Sequence, residues 1–263
     1  WTFNPFWHYS SKLREKIEKW FEYQVIKRVD RCITITKPME MVFKKRYSQL
    51  ICGRSITITN GFDRSNFVGC RAKKFNKFTL LYSGTFYGSR NPECFLKALK
   101  QLKEENRDFR ENSQFLFFGY IDKVIEKSLE RQNLINLLNY PIQYLTYKKN
   151  YRYIMGADVL VLIMGLKSIL TVPGKLFDYI STGKPILALA PKGAASDIIE
   201  ETGVGVVVPP EDVDKIKSKI LWFYEKYKKG EQNGTYEDAK FEKYSYIFLS
   251  KQLADLFDHL FKN

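Results

Sequence analysis

The segment from Val172 to Pro185, VPGKLFDYISTGKP, places a Gly-Lys pair where a predicted helix begins. The backbone N–H groups of Gly174 and Lys175 then lie at the helix N-terminus, where unpaired donors and the positive end of the helix dipole favour an anion. The ammonium group of Lys175 adds a full positive charge, and Pro173 precedes the pair. We therefore predict an anion site formed by Pro173, Gly174 and Lys175.

This segment differs from a P-loop, the phosphate-binding loop of many nucleotide-hydrolysing enzymes. A P-loop has a Ser or Thr directly after its Gly-Lys pair, and that hydroxyl binds a magnesium ion. Leu176 occupies this position here, and the second Gly-Lys pair, Gly183 and Lys184, precedes a predicted strand instead of a helix. The predicted anion site therefore lacks the magnesium ligand of a P-loop.

Asp178 lies about one helical turn after the Gly-Lys pair. A carboxylate this close would repel a phosphate by about 1 kcal/mol at surface dielectric, unless it faces a different group. A ribose, which has two hydroxyls to donate, would suit it. The same spacing also fits a carboxylate that only caps the helix or complements its dipole, so both interpretations stay open.

A second candidate site lies in LLYSGTFYGSRNPECFLKAL. The predicted strand ends at Ser83, Gly84 would let a ligand approach the backbone, and Arg90 stands just before Asn91, a predicted helix cap. Gly84 and Gly88 do not form the GxGxxG pattern of a dinucleotide-binding loop, which disfavours an NAD site. Arg90 either binds an anion or is a solvated surface charge.

A third candidate follows the predicted strand PIQYL. Tyr144, Leu145, Thr146 and Tyr147 could form an apolar and aromatic wall with backbone polar groups, which is enough to hold a flat base. Tyrosines at a strand end also serve simply as packing.

Apolar runs bounded by turn residues predict the strands that position these segments. The runs are RCITIT from Arg31, SITIT from Ser55, FTLLYSG from Phe78, QFLFFGY from Gln114, PIQYL from Pro141, DVLVLI from Asp158, PILALA from Pro185 and VGVVVP from Val204. Most are continuous, as expected for strands covered on both faces. Because helix-like segments alternate with them, we predict an α/β fold with a doubly wound parallel sheet, whose ligands bind beyond the carboxyl ends of the strands.

The two ends of the chain differ from this alternating region. Residues 1–50 predict a helix from Ser11 to Arg28, a strand, and a second helix from Pro38 to Tyr47, a piece too small to close a sheet alone. It either extends the following sheet or ends another domain. Because the chain starts with Trp1, we expect a fragment of a longer polypeptide. The last 19 residues have apolar residues at helical spacing and are expected to cover an apolar surface.

The composition indicates a globular protein: 44% of its 263 residues are hydrophobic and 27% are charged. No apolar run approaches the roughly 18 residues that a membrane span requires. The four cysteines form no CxxC pair and suggest reduced thiols. The formal net charge of +14 favours phosphorylated molecules, nucleic acid or an anionic membrane as partners, or is only a solvated basic surface. Because no nucleic-acid-binding motif is present, we expect no nucleic-acid partner.

Several of these motifs, in this order, resemble those of glycosyltransferase family 4, also called group 1, whose members have the GT-B fold. ITNGFD is similar to the family's linker into its C-terminal domain, and LLYSGTFYGSRNPECFLKAL to the segment whose basic residues contact donor phosphates. VPGKLFDYISTGKPILAL is similar to the segment with the diphosphate and ribose contacts, and GADVLVL to the strand before it. The resemblance covers residues 51 to about 240.

The resemblance implies two Rossmann-like domains that face each other across a cleft, with a nucleotide sugar held mainly by the second. Residues 1–50 would be a remnant of the N-terminal acceptor domain, and residues 51–240 the Rossmann-like domain that binds the donor. Residues 241–263 would form a C-terminal helix of the kind that crosses to the N-terminal domain in this family. Most of the N-terminal domain would then be missing from this chain.

Together with the candidate residues above, the resemblance implies a donor site at Gly84, Thr85, Arg90, Tyr144, Leu145, Pro173, Gly174, Lys175 and Asp178. Arg90 and Lys175 would contact the diphosphate and stabilise the leaving group, and Asp178 stands where the family has a ribose-binding Glu. Two positions depart from the pattern. Leu170 replaces a Glu that contacts the sugar, and Thr85 replaces an Arg found in many relatives. The catalytic residues stay unassigned.

The implied function is that of a retaining, metal-independent glycosyltransferase in surface polysaccharide biosynthesis. It would transfer a sugar from a nucleotide sugar, such as a UDP- or GDP-sugar, to a saccharide or lipid-linked acceptor. We expect no cofactor and no metal site, since the sequence has neither a DxD motif nor a His cluster. The implied location is the cytoplasm, and the charge leaves peripheral association with the inner face of the membrane open. The main alternative is a non-catalytic nucleotide-binding module.

Overall fold

A computed structural model describes residues 2, 4, 8–138, 145–231 and 238–261 of the chain. Its strands are β1 (Cys32–Thr34), β2 (Ser55–Thr57), β3 (Phe78–Phe86), β4 (Ser113–Ile121), β5 (Val159–Ile163), β6 (Ile186–Leu189) and β7 (Gly205–Val208). Its helices are α1 (Lys12–Arg28), α2 (Lys37–Arg46), α3 (Ser48–Ile51), α4 (Glu93–Glu105), α5 (Arg107–Asn112), α6 (Lys123–Arg131), α7 (Tyr147–Gly156), α8 (Gly174–Ser181), α9 (Ala194–Thr202), α10 (Val213–Lys228), α11 (Asp238–Glu242) and α12 (Tyr246–Phe261).

Five strands form one parallel sheet in the order β4-β3-β5-β6-β7. The chain runs outward from β3 to β4 and then returns to β5 on the other side of β3. The order of the strands therefore reverses between β3 and β5, and the crevice beyond their carboxyl ends is where open α/β sheets bind ligands. This topology confirms the predicted doubly wound parallel sheet. Most of the predicted strand PIQYL lies outside the described residues.

The sheet is covered on both faces, which explains its continuous apolar strands. In β5, Val159, Val161 and Ile163 belong to one buried cluster, whereas Leu160 and Leu162 belong to a second. Successive side chains of a strand point to opposite faces, so an unbroken apolar run serves a strand that has helices on both sides.

The strand β3 is longer than the sequence predicted. It does not end at Ser83 but continues to Phe86, paired with β4 as far as Ile121. In this extension Gly84 lies opposite Gly119, with φ values of 140° and 145° that favour glycine. Gly84 and Thr85 are therefore strand residues at the carboxyl edge of the sheet and not part of the loop after it.

The N-terminal residues form a separate two-stranded sheet, in which β1 and β2 pair in parallel. A small buried cluster of α1, α2 and α3 residues, including Ile26, Phe43 and Ile51, packs with it. Since β2 pairs with β1, the predicted boundary at residue 51 falls inside this small sheet, and a boundary after Thr57 separates the two sheets better. The division into domains stays a prediction.

Glu40 connects this small sheet to α2. Its side chain is only 4% exposed, and it accepts hydrogen bonds from Thr57 Oγ1 at 2.6 Å and from Lys44 Nζ at 2.7 Å. Ser55 and Lys37 donate to it as well. Burial alone would raise the pKa of Glu40, but the four donors outweigh it and lower this pKa to about 2.

We expect Glu40→Gln to destabilise the protein by about 2 kcal/mol at pH 7, since an ionised, hydrogen-bonded carboxylate is lost from a buried position. The lowered pKa means that the contribution is present above the ordinary glutamate pKa and is lost as pH falls through about 2. Urea unfolding at pH 7 and at pH 3.5 should show a smaller difference at the lower pH. Glu105→Gln, at an exposed ion pair with Lys217, should change stability by no more than about 0.5 kcal/mol. Equal losses in both variants would contradict the prediction.

Apolar side chains remain exposed on α1 and α12. On α1 these include Leu13, Ile17, Trp20, Phe21 and Val25, and on α12 Tyr246, Ile247, Phe248, Phe257 and Phe261. Among the apolar residues of α12, Leu249 is buried, against Gly61 of the segment before β3. Leu253, Leu256 and Leu260 further along this helix are half-buried. The expectation that the last residues cover an apolar surface stays a prediction. None of the helices in the described ranges is long and apolar enough to cross a membrane.

Candidate functional site

The helix α8 begins at the Gly-Lys pair, as predicted. Pro173 is its N-cap residue, has a φ of −71°, and provides no side-chain cap. Leu176 N–H donates to the Pro173 carbonyl at 3.0 Å, whereas the N–H groups of Gly174 and Lys175 have no hydrogen-bond acceptor within the described residues. Gly174 is exposed, with open space where a Cβ would lie. The helix therefore presents two free donors at its positive end.

The side chain of Lys175 points back to the carboxyl end of β3. Its Nζ lies 4.0 Å from the centre of the Tyr82 ring and is buried without a hydrogen-bond partner in the described part of the chain. Burial, reinforced by the nearby positive charge of Arg90, lowers the pKa of Lys175 to about 7. The π face of Tyr82 stabilises an ammonium group only in part. An ammonium group in this position therefore still lacks an acceptor for its N–H groups.

Packing between α8 and β3 fixes this position. Tyr179, one turn after Lys175 on the same face of the helix, is fully buried and accepts a hydrogen bond from Ser83 N–H at 3.0 Å. Gly84 leaves the room that the lysine needs, since a Cβ there would lie 2.1 Å from Lys175 Nζ. Below it, the rings of Tyr82 and Phe86 stack with their centres 4.2 Å apart.

Arg90 follows β3 at the same edge of the sheet. Its guanidinium carbon lies 5.0 Å from the centre of the Tyr87 ring, and the backbone N–H of Arg90 donates to the Tyr87 carbonyl. Asn91 acts nearly as predicted, since its Oδ1 accepts from Glu93 N–H at 3.0 Å, although Pro92 holds the N-cap position of α4. Arg90 and Lys175 thus bring two basic groups together at the point where the strand order reverses.

Asp178 accepts a hydrogen bond from one tyrosine of α7, and a second tyrosine of α7 contacts the first. Tyr151 donates its hydroxyl to Asp178 Oδ1 at 2.5 Å, and the hydroxyls of Tyr147 and Tyr151 are 2.8 Å apart. Burial raises the pKa of Asp178, although the hydrogen bond from Tyr151 opposes this. The contact with Tyr151 shows that Asp178 is not simply a helix cap, and it orients the carboxylate toward the α7 side of the site.

A cavity of about 190 Å³ lies between β3, β4 and α7. It is lined by Ser83, Gly84, Phe118, Gly119, Leu145, Tyr147 and Asn150. Ser83 Oγ donates to Asn150 Oδ1 at 2.9 Å, which joins β3 to α7 across its floor. Of the residues predicted to form a wall for a flat base, Leu145 and Tyr147 line this cavity, whereas Tyr144 lies outside the described residues.

The structure brings most of the predicted residues to one edge of the sheet. Lys175 Nζ is next to Gly84, which also lines the cavity, and Asp178 reaches the cavity through Tyr151 and Tyr147. Thr85 contributes through its backbone, whose carbonyl accepts from the Tyr82 hydroxyl at 3.3 Å.

Sequence reasoning missed four residues of this site, namely Tyr82, Gly119, Asn150 and Tyr151. Tyr82 and Gly119 are inconspicuous within apolar strands. A signal existed for α7, because Tyr147 and Tyr151 have the i, i+4 spacing of neighbours on one helix face. Within the described ranges, no group of three or more His, Cys, Asp and Glu residues is placed to hold a metal ion.

A family model described as "Glycosyl transferases group 1" matches residues 77–226, which is more than half of the chain. The matched region runs from the start of the five-stranded sheet into α10. It therefore contains Gly84, Arg90, Lys175 and Asp178. This match confirms the resemblance drawn from the sequence motifs.

Solved structures of similar backbone agree with this assignment of the fold. Sucrose-phosphate synthase from Thermosynechococcus elongatus is 18% identical, with a TM-score of 0.66 over 97% of this chain. A glycosyltransferase from Rickettsia africae is 12% identical, with a TM-score of 0.70 over 94% of this chain. HepE from Anabaena, solved in complex with UDP and glucose, is 14% identical, with a TM-score of 0.66 over 89% of this chain.

The chain is shorter than these proteins. It spans 64% of the sucrose-phosphate synthase chain, 68% of the Rickettsia chain and 65% of the HepE chain. No curated protein matches it in sequence. At these identities the likeness shows a shared fold alone.

Proposed function

The chain belongs to the group 1 glycosyl transferases, and from this premise we propose that it binds a nucleoside diphosphate sugar at the carboxyl end of β3. The observation that carries the proposal is the buried Nζ of Lys175, which has no hydrogen-bond partner among the described residues. Leaving a buried cation unpaired is unfavourable unless a ligand completes the site. The free N–H groups of Gly174 and Lys175 and the positive charge of Arg90 favour an anion as this ligand.

The diphosphate accounts for this cluster of donors. Its oxygens would accept hydrogen bonds from Lys175, Arg90 and the start of α8, as charge-assisted bonds do at other phosphate sites. The base would enter the cavity beside Leu145 and Tyr147, and the ribose hydroxyls would lie toward Asp178. Gly84 and Gly119 support this arrangement, because residues without side chains let a ligand approach the strand ends.

In the complete enzyme, the bond between the sugar C1 and the diphosphate oxygen breaks while C1 bonds to an acceptor hydroxyl. The negative charge that develops on the leaving diphosphate is stabilised by Lys175, Arg90 and the helix N-terminus, and the proton of the acceptor hydroxyl leaves with that group or to solvent. We propose transfer with retention of configuration, without a metal ion, to a saccharide or lipid-linked acceptor in surface polysaccharide biosynthesis.

The remaining parts of the proposal concern partners and location. The exposed apolar residues of α1 and α12 support contact with a further N-terminal domain, because exposed apolar patches mark interaction surfaces. The net charge of +14 supports a cytoplasmic enzyme that works at the inner face of an anionic membrane.

Calorimetric titration with UDP, GDP and ADP tests the proposed site, and we expect one of them to bind. Arg90→Gln should weaken this nucleotide about tenfold or more, because it removes a charge-assisted hydrogen bond. Asp178→Asn keeps an acceptor for Tyr151 but loses the charge. Asp178→Asn should reduce the ratio of the affinity for UDP to the affinity for 2′-deoxy-UDP. If GDP or ADP is the nucleotide that binds, the corresponding ratio for that nucleotide should decrease.

Lys184→Gln, in the second Gly-Lys pair, is the matched control and should bind as the wild-type chain does. The proposal fails if none of the three nucleotides binds, or if both site variants leave binding unchanged. Tight binding of a random oligonucleotide, with a steep dependence on salt, would instead favour a nucleic-acid partner. Nucleotide binding without transfer by the full-length protein would favour a non-catalytic module.

A further inference from the structure

Lys175 Nζ is enclosed without a hydrogen-bond partner in the described part of the chain. The Tyr82 ring of β3 lies 4.0 Å below it, and Gly84 is so close that a Cβ there would lie 2.1 Å from Nζ. In the part of the chain that the structure describes, no carboxylate forms an ion pair with it and no oxygen accepts from it. A protonated amine would therefore be buried without an acceptor in the empty site.

The charged and titratable groups of the surrounding elements that the structure describes provide no interaction that would stabilise a buried ammonium group. The Tyr82 hydroxyl donates to the Thr85 carbonyl, and the loop after β3 brings the positive charge of Arg90. On α8 itself, Asp178 is bonded to Tyr151, and the Tyr179 hydroxyl accepts from Ser83 N–H.

The neighbouring strand supplies no acceptor either. β4 contributes Gly119, which has no side chain. It lies so close to Gly84 that a Cβ added to Gly119 would be 1.8 Å from the Gly84 carbonyl oxygen. Among the residues that the structure describes, the full charge that acts on Lys175 is thus the like charge of Arg90. Burial, with Arg90 as the second cause, lowers the pKa of Lys175 to about 7.

We propose that Lys175 is neutral in a large share of empty sites at pH 8 and takes up one proton when the diphosphate of the donor binds. This inference rests on the proposed function. The phosphate oxygens supply both the acceptors and the negative charge that the empty site lacks, so they stabilise the ammonium form. In this binding reaction, one donor molecule binds next to one neutral Lys175 amine, which takes one proton from solvent and becomes an ammonium group.

Proton uptake would make donor affinity depend on pH. Each pH unit above about 7 lowers the fraction of protonated Lys175 in the empty site about tenfold, and donor affinity falls with it. The donor site would therefore weaken in alkaline solution while the fold is unchanged.

Calorimetry of the 263-residue chain with UDP-glucose at pH 8.0 tests the inference. If UDP-glucose does not bind, GDP-glucose or ADP-glucose is the probe. A diphosphate diester has no ionisation of its own near this pH. Titrations in Tris and in HEPES, which differ in ionisation enthalpy, give the number of protons exchanged. We expect uptake of close to one proton, and about tenfold weaker binding at pH 8.5 than at pH 7.5.

Two variants separate Lys175 from other sources of protons. Lys175→Arg keeps a cation that does not lose its proton, so whatever donor binding remains should occur without proton uptake. Lys184→Arg should take up a proton as the wild-type chain does. If Lys175→Arg does not bind at all, the buffer dependence and pH dependence of the wild-type chain decide the question.

The outcomes are distinguishable from a failure of the proposed function. Donor binding to the wild-type chain with no proton exchange overturns this inference and leaves the proposed function standing. Uptake that persists in Lys175→Arg also overturns it. If neither the three nucleotide sugars nor UDP, GDP and ADP bind, the proposed function and this inference fail together. If the free nucleotides bind and the nucleotide sugars do not, this inference alone fails.

Discussion

Lys175→Met is expected to stabilise the ligand-free protein by about 2 kcal/mol at pH 7 and to abolish nucleotide binding. Methionine fills nearly the same volume without a charge, so the space above the Tyr82 ring stays filled while the cost of desolvating the amine disappears. The lowered pKa of Lys175, about 7, corresponds to at most about 5 kcal/mol at 1.36 kcal/mol per pH unit, and movement of the side chain toward solvent reduces this.

The effect should depend on pH in a defined direction. Because the folded-state pKa of Lys175 is lowered, the unfolded chain binds more protons between about pH 7 and the ordinary lysine pKa. This group therefore makes the wild-type protein more stable as pH rises through that window, whereas Lys175→Met lacks the dependence. The advantage of the variant is largest at or below pH 7 and decreases by pH 9.5.

Urea unfolding at pH 6.5 and pH 9.5, together with calorimetric titration of UDP, measures both effects. Lys184→Met is the matched control, which should change stability little and bind UDP normally. A loss of stability in Lys175→Met at pH 6.5 would show that the amine has a partner within the protein. Unchanged nucleotide binding would show that Lys175 is not part of the site.

Gly119→Ala is expected to destabilise the protein by about 3 kcal/mol and to abolish nucleotide binding. Its φ of 145° is strained for any residue with a side chain, and a Cβ would lie 1.8 Å from the Gly84 carbonyl oxygen. Because the colliding atom belongs to the backbone, relief requires that the end of β3 separate from β4. That separation would displace Gly84 from the edge of the cavity.

Two further glycines provide graded controls. Gly84→Ala, at a φ of 140°, would collide with Lys175 Nζ, the end of a flexible side chain, so it should lose nucleotide binding with a smaller loss of stability. Gly88→Ala, at a φ of 54° and in open space, should cost about 1 kcal/mol and retain binding. Urea unfolding and UDP titration of the three variants test this order. Gly119→Ala as stable as Gly88→Ala would contradict it.

Most of the fold could be predicted from the sequence because its signals are local. The unbroken run DVLVLI predicts a strand buried on both faces, which β5 is. Ser11 and Asp212 cap α1 and α10 through bonds from N–H groups three residues further along. The position of the Gly-Lys pair at the start of α8 also followed from local preferences, since Pro173 suits a helix start and Leu176, Phe177 and Ile180 form one buried face.

Features that depend on distant partners could not be predicted in this way. The strand β3 extends past Ser83 because β4 continues to pair with it. The strand β2 joins β1 because it pairs across 23 residues, and nothing in SITIT alone distinguishes that partner from the larger sheet. Tyr151 became a site residue only because α7 places its hydroxyl at Asp178, 27 positions further along the chain.

The sequence by itself determined that the chain forms a doubly wound sheet, that α8 begins at Gly174, and that Arg90, Lys175 and Asp178 are the groups to consider. Hydrophobic periodicity and helix-start preferences act over a few residues, so they can be recognised in a single sequence. Only the tertiary structure decided that the Nζ of Lys175 is buried above Tyr82 beside Gly84, without an acceptor in the described residues. The protonation of this amine depends on desolvation and on Arg90, about 85 residues away in the chain, because both act through space and not along the sequence.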